Sequence, residues 1–257
     1  VGKFGNQTSM GTEESGCSSS CAPGFYGHAQ GQSSEVAACT ECEKGHYCTG
    51  GAAKLACPAG KYSTSLGLMA MSGCVACPAD FLCSQGSPYK YCPSTFSQSV
   101  HTLLESNCIL FSEVIVSGST NASIEGKSKM VEIVGHGSHR LFHVAGTLTL
   151  RRIHLKGGNA TNAYGGAVYV NHGTLDAIDL VISNSRAFYG GGIAVDHGTV
   201  TLILTQCLEN EASYGGCVHS TRSTLILANV KANSNLALKF GAVAYLDDSS
   251  SATISQS

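Results

Sequence analysis

Four stretches of the chain say the same thing at a fixed interval. Gly165-Gly166-Ala167-Val168, Gly190-Gly191-Gly192-Ile193, Gly215-Gly216-Cys217-Val218 and Phe240-Gly241-Ala242-Val243 follow one another at a constant spacing. A period of about 25 residues is a structural unit that stacks on its neighbours. Few folds can hold such a unit.

Columns read down the repeat show which. Val168, Ile193, Val218 and Val243 form one column, and Val170, Val195, Ser220 and Tyr245 form another two positions on, the period of a strand. A second short strand follows a polar corner, with Leu175, Val200 and Leu225 stacked and Ala177, Leu202 and Leu227 two positions further. A third run, residues 180–182, 205–207 and 230–232, precedes Asn184, Asn210 and Asn233. Three short strands per coil of about 25 residues, with polar corners and no helical period, predict a parallel β-helix. Each coil is too thin to bury its own apolar face, so like residues must stack on like at about 4.8 Å. The glycines suit corners with positive φ, and Tyr164, Tyr189 and Tyr214 just before them are placed to stack along one edge. The columns leave the handedness of the coil open.

The chain has room for two domains of ordinary size: 257 residues with a net charge of -2. Only 12% of residues are charged, so nothing in the electrostatics invites nucleic acid. No apolar run reaches the length of about 18 residues that a membrane span requires. Because it starts at Val1 and stops at Ser257 inside a coil, the sequence reads as a processed or partial segment of a longer chain. The expected division is a linker or tail at 1–16, cysteine-rich modules at 17–98 and a β-helix at 99–257.

Eleven of the 13 cysteines lie between Cys17 and Cys108. That segment is too poor in Leu, Ile and Val to fold on apolar burial, and disulfides take over the role. The cysteines carry a theme: Cys21-Ala-Pro-Gly-Phe-Tyr26, Cys42-Glu-Lys-Gly-His-Tyr47, Cys57-Pro-Ala-Gly-Lys-Tyr62, and Cys77-Pro-Ala-Asp-Phe, which loses the Gly and Tyr at Asp80 and Leu82. It resembles the repeats of ephrin-receptor-like extracellular modules, which are similar in turn to those of tumour necrosis factor receptors. Pairing Cys21 with Cys39 and Cys57 with Cys74 is favoured, each closing a loop of about 17 residues worth about 3 kcal/mol in the chain-entropy model; the remaining pairings stay open. Zinc competes for Cys39-x-x-Cys42 and Cys74-x-x-Cys77, but structural zinc sites hold their pairs closer and lack seven further cysteines at module spacing. No βαβ pattern surrounds either pair, as a redox site would require. No metal or cofactor is expected.

The second half, with Gly-Gly-Ala-Val and an Asn three positions after an apolar one, resembles the short repeats of the chlamydial polymorphic outer membrane proteins, which are surface adhesins on a β-helical passenger. The resemblance implies adhesion in general and no residue in particular. Sequons at Asn6, Asn121 and Asn159 agree with a secretory route. A chain of this length carries a similar number by chance, so the cysteines carry the extracellular reading.

Carboxylates, His or Arg stacked on one face would mark a polysaccharide-acting β-helix. The best column is His172, His197, Arg222 and Asp247, spaced at the repeat interval and flanked by Asn171 and Asp196. Asn-His-Gly-Thr and Asp-His-Gly-Thr are also what solvated corners are made of, and that is the plainer reading. A metal on His172 and His197 lacks a third ligand. Gly135-His136-Gly137 resembles one motif of the polygalacturonases, but the Asp-Asp that should precede it is missing, and Arg151-Arg152 with Lys156 reads as an exposed strand face.

The expected protein is therefore extracellular, structural or adhesive, a building block of a cell-surface fibre or flagellar hair. Its partners would be other copies of itself, other extracellular proteins or glycans. A carbohydrate-active enzyme and a receptor ectodomain are the competing classes. Strand alternation places Cys207 inside and Cys217 outside, so both are expected to be free thiols. One cysteine of the other eleven is then left for a partner elsewhere.

Overall fold

The computed structural model describes residues 3–4, 19–27, 34–78 and 81–255. Asn6, Cys17 and Asp80 fall outside them. The chain forms two compact units, residues 1–91 and 92–257.

The first unit is built from short antiparallel pairs. Phe25–Gly27 lies against Cys39–Glu41, His46–Tyr47 against Leu55–Ala56, and Lys61–Tyr62 against Val75–Ala76. Among its described residues, Ala38 is the one buried hydrophobic side chain that is not a cysteine. The interior is cystine: Cys21–Cys39, Cys42–Cys48, Cys57–Cys74 and Cys77–Cys83. Both Cys-x-x-Cys pairs are therefore consumed in bonds to other cysteines. The theme glycines Gly24, Gly45 and Gly60 all have positive φ. At Gly45 an added Cβ would sit 2.2 Å from the carbonyl oxygen of Gly86, which is why that position of the theme is glycine. Backbone bonds repeat with the cysteines: Gly24 N–H donates to Cys48 O as Gly60 N–H does to Cys83 O.

The second unit is a parallel β-solenoid. Three sheets run along it, one of them six strands long from Val114–Val116 to Ala244–Asp247. Every strand pair in the solenoid is parallel, and each joins one coil to the next. The core is the predicted set of ladders: Val168, Ile193 and Val218 are buried, as are Leu175, Val200 and Leu225. A fourth short strand per coil, such as Arg186–Tyr189, carries the tyrosine and was not apparent as a strand in the repeat.

Corners account for the rest of each coil. Gly165, Gly190, Gly215 and Gly241 hold left-handed φ between 63° and 69°. Three further corner columns do the same without glycine: His172, His197, Arg222 and Asp248; Arg152, Asp179, Leu204 and Asn229; and Asn184, Glu209 and Ser234. A left-handed non-glycine residue is uncommon and costs free energy. Stacking of coils offsets that cost where a corner N–H donates to a carbonyl of the next coil, as His172 N does to Asp196 O, Asn184 N to Leu208 O and Leu204 N to Ala228 O.

Three expectations need correction. The last repeat is one position longer than the one before it by the time it reaches Ala244–Asp247, because a bulge lies between Ala212 and Tyr214 in the pairing of Glu211–Tyr214 with Leu236–Phe240. Tyr214 consequently pairs with Phe240, and Val218 with Ala244, leaving Val243 52% exposed and out of the column assigned to it. Gly241 takes the left-handed corner, and that need overrides the sequence match that had placed Phe240 there.

Cys207 and Cys217 are disulfide-bonded, with Cα atoms 5.7 Å apart, and are not free thiols. Cys217 lies in the bend before Val218–Thr221, where strand alternation does not apply, so Cys217 and Val218 both face inward. The bond and the inward list are compatible after all.

The asparagine column is also shifted. Asn184 and Asn233 are not in it; Ser185, Asn210 and Asn235 are. Ser185 N–H donates to Asn210 Oδ1 at 3.1 Å, Asn210 N–H to Asn235 Oδ1 at 3.1 Å, and Asn210 Nδ2 to Ile182 O at 3.0 Å. Asn210 is fully buried. Its replacement by Ala strands a buried N–H and a carbonyl, and is expected to cost about 1–3 kcal/mol. Denaturant titration of the variant checks this, and a midpoint equal to that of the parent would mean that the ladder does not stabilise the fold.

Candidate functional site

The densest cluster of chemically distinctive side chains lies where the tyrosine-bearing strands turn into the six-stranded sheet. The ends of Asn159–Tyr164, Arg186–Tyr189, Glu211–Tyr214 and Leu236–Phe240 place Tyr164, Tyr189, Tyr214 and Phe240 in one row. Successive rings are stacked with centroids 4.7, 5.2 and 6.0 Å apart. Beside it the outward positions of the sheet form a second row: His143, Tyr169, Ala194, His219 and Tyr245. The rows interlock. Tyr164 stacks on Tyr169 at 5.3 Å, and Tyr189 lies 4.8 Å from the His219 ring. Lys239 Nζ sits over Tyr214 and Arg140 over Tyr169, both at 5.1 Å, a favourable placement of a cation on a ring face.

Burial favours the uncharged forms of Tyr164, Tyr169 and His219. Burial, with the neighbouring phenol and the Asp196 carboxylate, pushes the Tyr164 phenol up from its ordinary value, and burial with Asp196 does the same at Tyr169. Neither can supply a phenolate near neutral pH. His219 is 2% exposed, and neither ring nitrogen has a hydrogen-bond partner. Burial holds its pKa below 6.5, with Asp247 and Asp196 opposing the shift. The imidazole serves as one more uncharged ring.

That arrangement carries a pH dependence with a definite sign. His219, and likewise His143 and His154, titrates lower in the fold than in the unfolded chain, mainly through burial. The unfolded state therefore binds more protons below about pH 6.5, and stability present above that value is lost as the pH falls through it. Melting temperature should drop between about pH 7 and pH 5, and drop less in His219→Phe. Parallel pH profiles of the two proteins would dispose of a role for His219.

The proposed catalytic column is not assembled as expected. His172 and His197 do stack, 4.8 Å apart with rings 4° from parallel, at two left-handed corners. The longer last coil, however, brings Asp248 into that corner column, and pairs Asp247 with Thr221 in the column of Asp196. Asp196 and Asp247 are thus two coils apart, about 10 Å by the coil spacing, with Thr221 between them. Asp196 Oδ1 lies 2.8 Å from His197 Nδ1 and 3.8 Å from Arg222, a Coulombic contact without hydrogen-bond alignment. Asp247 Oδ1 accepts the N–H of Asp248. Asp247 is thus engaged in holding its own corner.

Among the described residues no group of three or more His, Cys, Asp and Glu could hold a metal ion. No helix among them is long and apolar enough to cross a membrane. Of the sequons, Asn121 is exposed, while Asn159 is half-buried and its Nδ2 donates to Gly137 O at 2.9 Å. His219 escaped notice in the sequence. Its one signal was its place, second in its strand and in line with Tyr169 two coils away; its pairing with Tyr245 appears only with the extra position of the last coil.

Compared with family models, curated proteins and solved structures, the chain matches none. The resemblances to ephrin-receptor-like modules and to chlamydial surface repeats therefore rest on their short motifs.

Proposed function

We propose that this chain is a structural or adhesive element of an extracellular surface, a stiff unit of the kind that builds a cell-surface fibre or flagellar hair. One observation carries the reading: aliphatic, asparagine, aromatic and corner columns pass from coil to coil, so no coil can deform without its neighbours. Stiffness along the axis and long side faces are what such an object offers a surface. A disulfide-rich β-solenoid fits an extracellular protein, since an interior of cystine needs an oxidising compartment. On this reading the partners are further copies of the chain, other extracellular proteins or glycans, and of the two described sequons Asn121 is the more open to a sugar.

Microscopy of the material as isolated from its native surface tests the proposal. Filaments or lateral arrays containing the chain are expected. A dispersed particle at every concentration would overturn it, and new reducing ends released from a polysaccharide would install the enzymatic reading in its place.

A further inference from the structure

We infer that the tyrosine row is a site of oxidative cross-linking, at which Tyr189 couples to Tyr164 or Tyr214 of an adjoining coil when the protein meets a haem peroxidase with hydrogen peroxide. Two independent observations carry it. The first is geometric. Tyr164, Tyr189 and Tyr214 leave equivalent backbone positions, since Tyr164 pairs with Tyr189 and Tyr189 with Tyr214. Their rings are 16° and 19° from parallel at 4.7 and 5.2 Å, so each ring lies face to face with its counterpart one coil away. Tyr164 is 39% exposed, and Tyr189 and Tyr214 are half-buried, leaving the row open along one edge. Phe240, which continues the row, carries no phenol and ends it.

The second observation is the inventory of oxidisable groups. The chain has no tryptophan. Every described cysteine is already in a disulfide. Between residues 92 and 257 the sequence holds one methionine, Met130. An oxidant that removes single electrons from this unit therefore finds phenols, and finds Tyr164, Tyr189 and Tyr214 stacked coil on coil with Tyr169 against Tyr164.

The chemistry balances. Each of two phenols loses one electron and one proton, giving phenoxyl radicals whose spin extends to the ortho carbons. A carbon–carbon bond joins the two rings, and each ortho hydrogen moves to its ring oxygen, restoring both phenols. The two electrons and two protons reduce one hydrogen peroxide to two waters. The product is dityrosine clamping one coil to the next.

The experiment treats the folded protein, at dilution, with a haem peroxidase and hydrogen peroxide, and reads dityrosine emission and cross-linked peptides by mass spectrometry. The expected result is a link within one chain between the peptides holding Tyr189 and Tyr164 or Tyr214. Tyr189→Phe keeps the ring and should lose that link and most of the emission. Tyr62→Phe, in the first unit, should lose neither. Absence of dityrosine, links confined to other tyrosines or to pairs of chains, or undiminished emission from Tyr189→Phe would each overturn the inference. Peptide mapping of the unaltered protein decides the matter even if the variant folds poorly.

Discussion

Ile193→Asp is expected to abolish the cooperative unfolding transition of residues 92–257. Ile193 is 0% exposed, with Val168 and Val218 paired to it on the adjoining coils. An unpaired carboxylate there costs several kcal/mol, against a total stability of about 5–15 kcal/mol for an ordinary domain. The position sharpens the effect. Coils are stabilised by their neighbours, so breaking a middle one leaves two short stacks, neither with enough interface to persist. Circular dichroism on heating checks the result, and a variant with the parent's melting temperature would falsify the placement of that column.

Reduction should divide the molecule. Among the described residues of the first unit the buried apolar side chains are cystine apart from Ala38, and the bonds closing 18- and 17-residue separations are worth about 3 kcal/mol each. With those gone there is little apolar surface left to hold residues 34–78 together. The solenoid carries Cys92–Cys108 and Cys207–Cys217, but its interior is aliphatic, and it should keep its strands. Limited proteolysis after reduction and alkylation is expected to cut within 34–78 long before it cuts within the solenoid. Protection of 34–78 in the alkylated protein would show that something other than cystine holds that unit.

What could be read from the residues follows from what burial demands of them. Inward columns were legible because a ladder of Val, Ile and Leu is visible at a constant interval, and Leu175, Val200 and Leu225 lie where the interval put them. The corners were legible as polar, and their left-handed geometry only where glycine marked it; Leu204 at φ 53° gives no such sign. Alternation failed at Cys217 because a bend obeys a different rule from a strand. The paired roles of Asn210 and Asn235 were obscured by Asn184 and Asn233, which sit close to the ladder in sequence and belong to other positions. In the column of His172, His197 and Arg222, Asp247 gives way to Asp248 because of the extra position in the last coil.

That insertion shows how such a chain keeps time. The step from one coil to the next is not constant along the solenoid: His101 pairs with Ser123, Val114 with Phe142, Thr147 with Thr174, Thr174 with Thr199, and Val218 with Ala244. No two of those steps span the same length of chain. The strands still land on one another, because every corner is an opportunity to restore phase before the next strand begins. In a long coiled coil an insertion shifts the seam for everything downstream; here the extra residue is taken up in the bulge between Ala212 and Tyr214, and Val218 still pairs with its counterpart on the next coil, Ala244. Lengthening or shortening a loop is therefore a local event, and a solenoid of this kind can diverge in length and lose its visible period while its architecture persists.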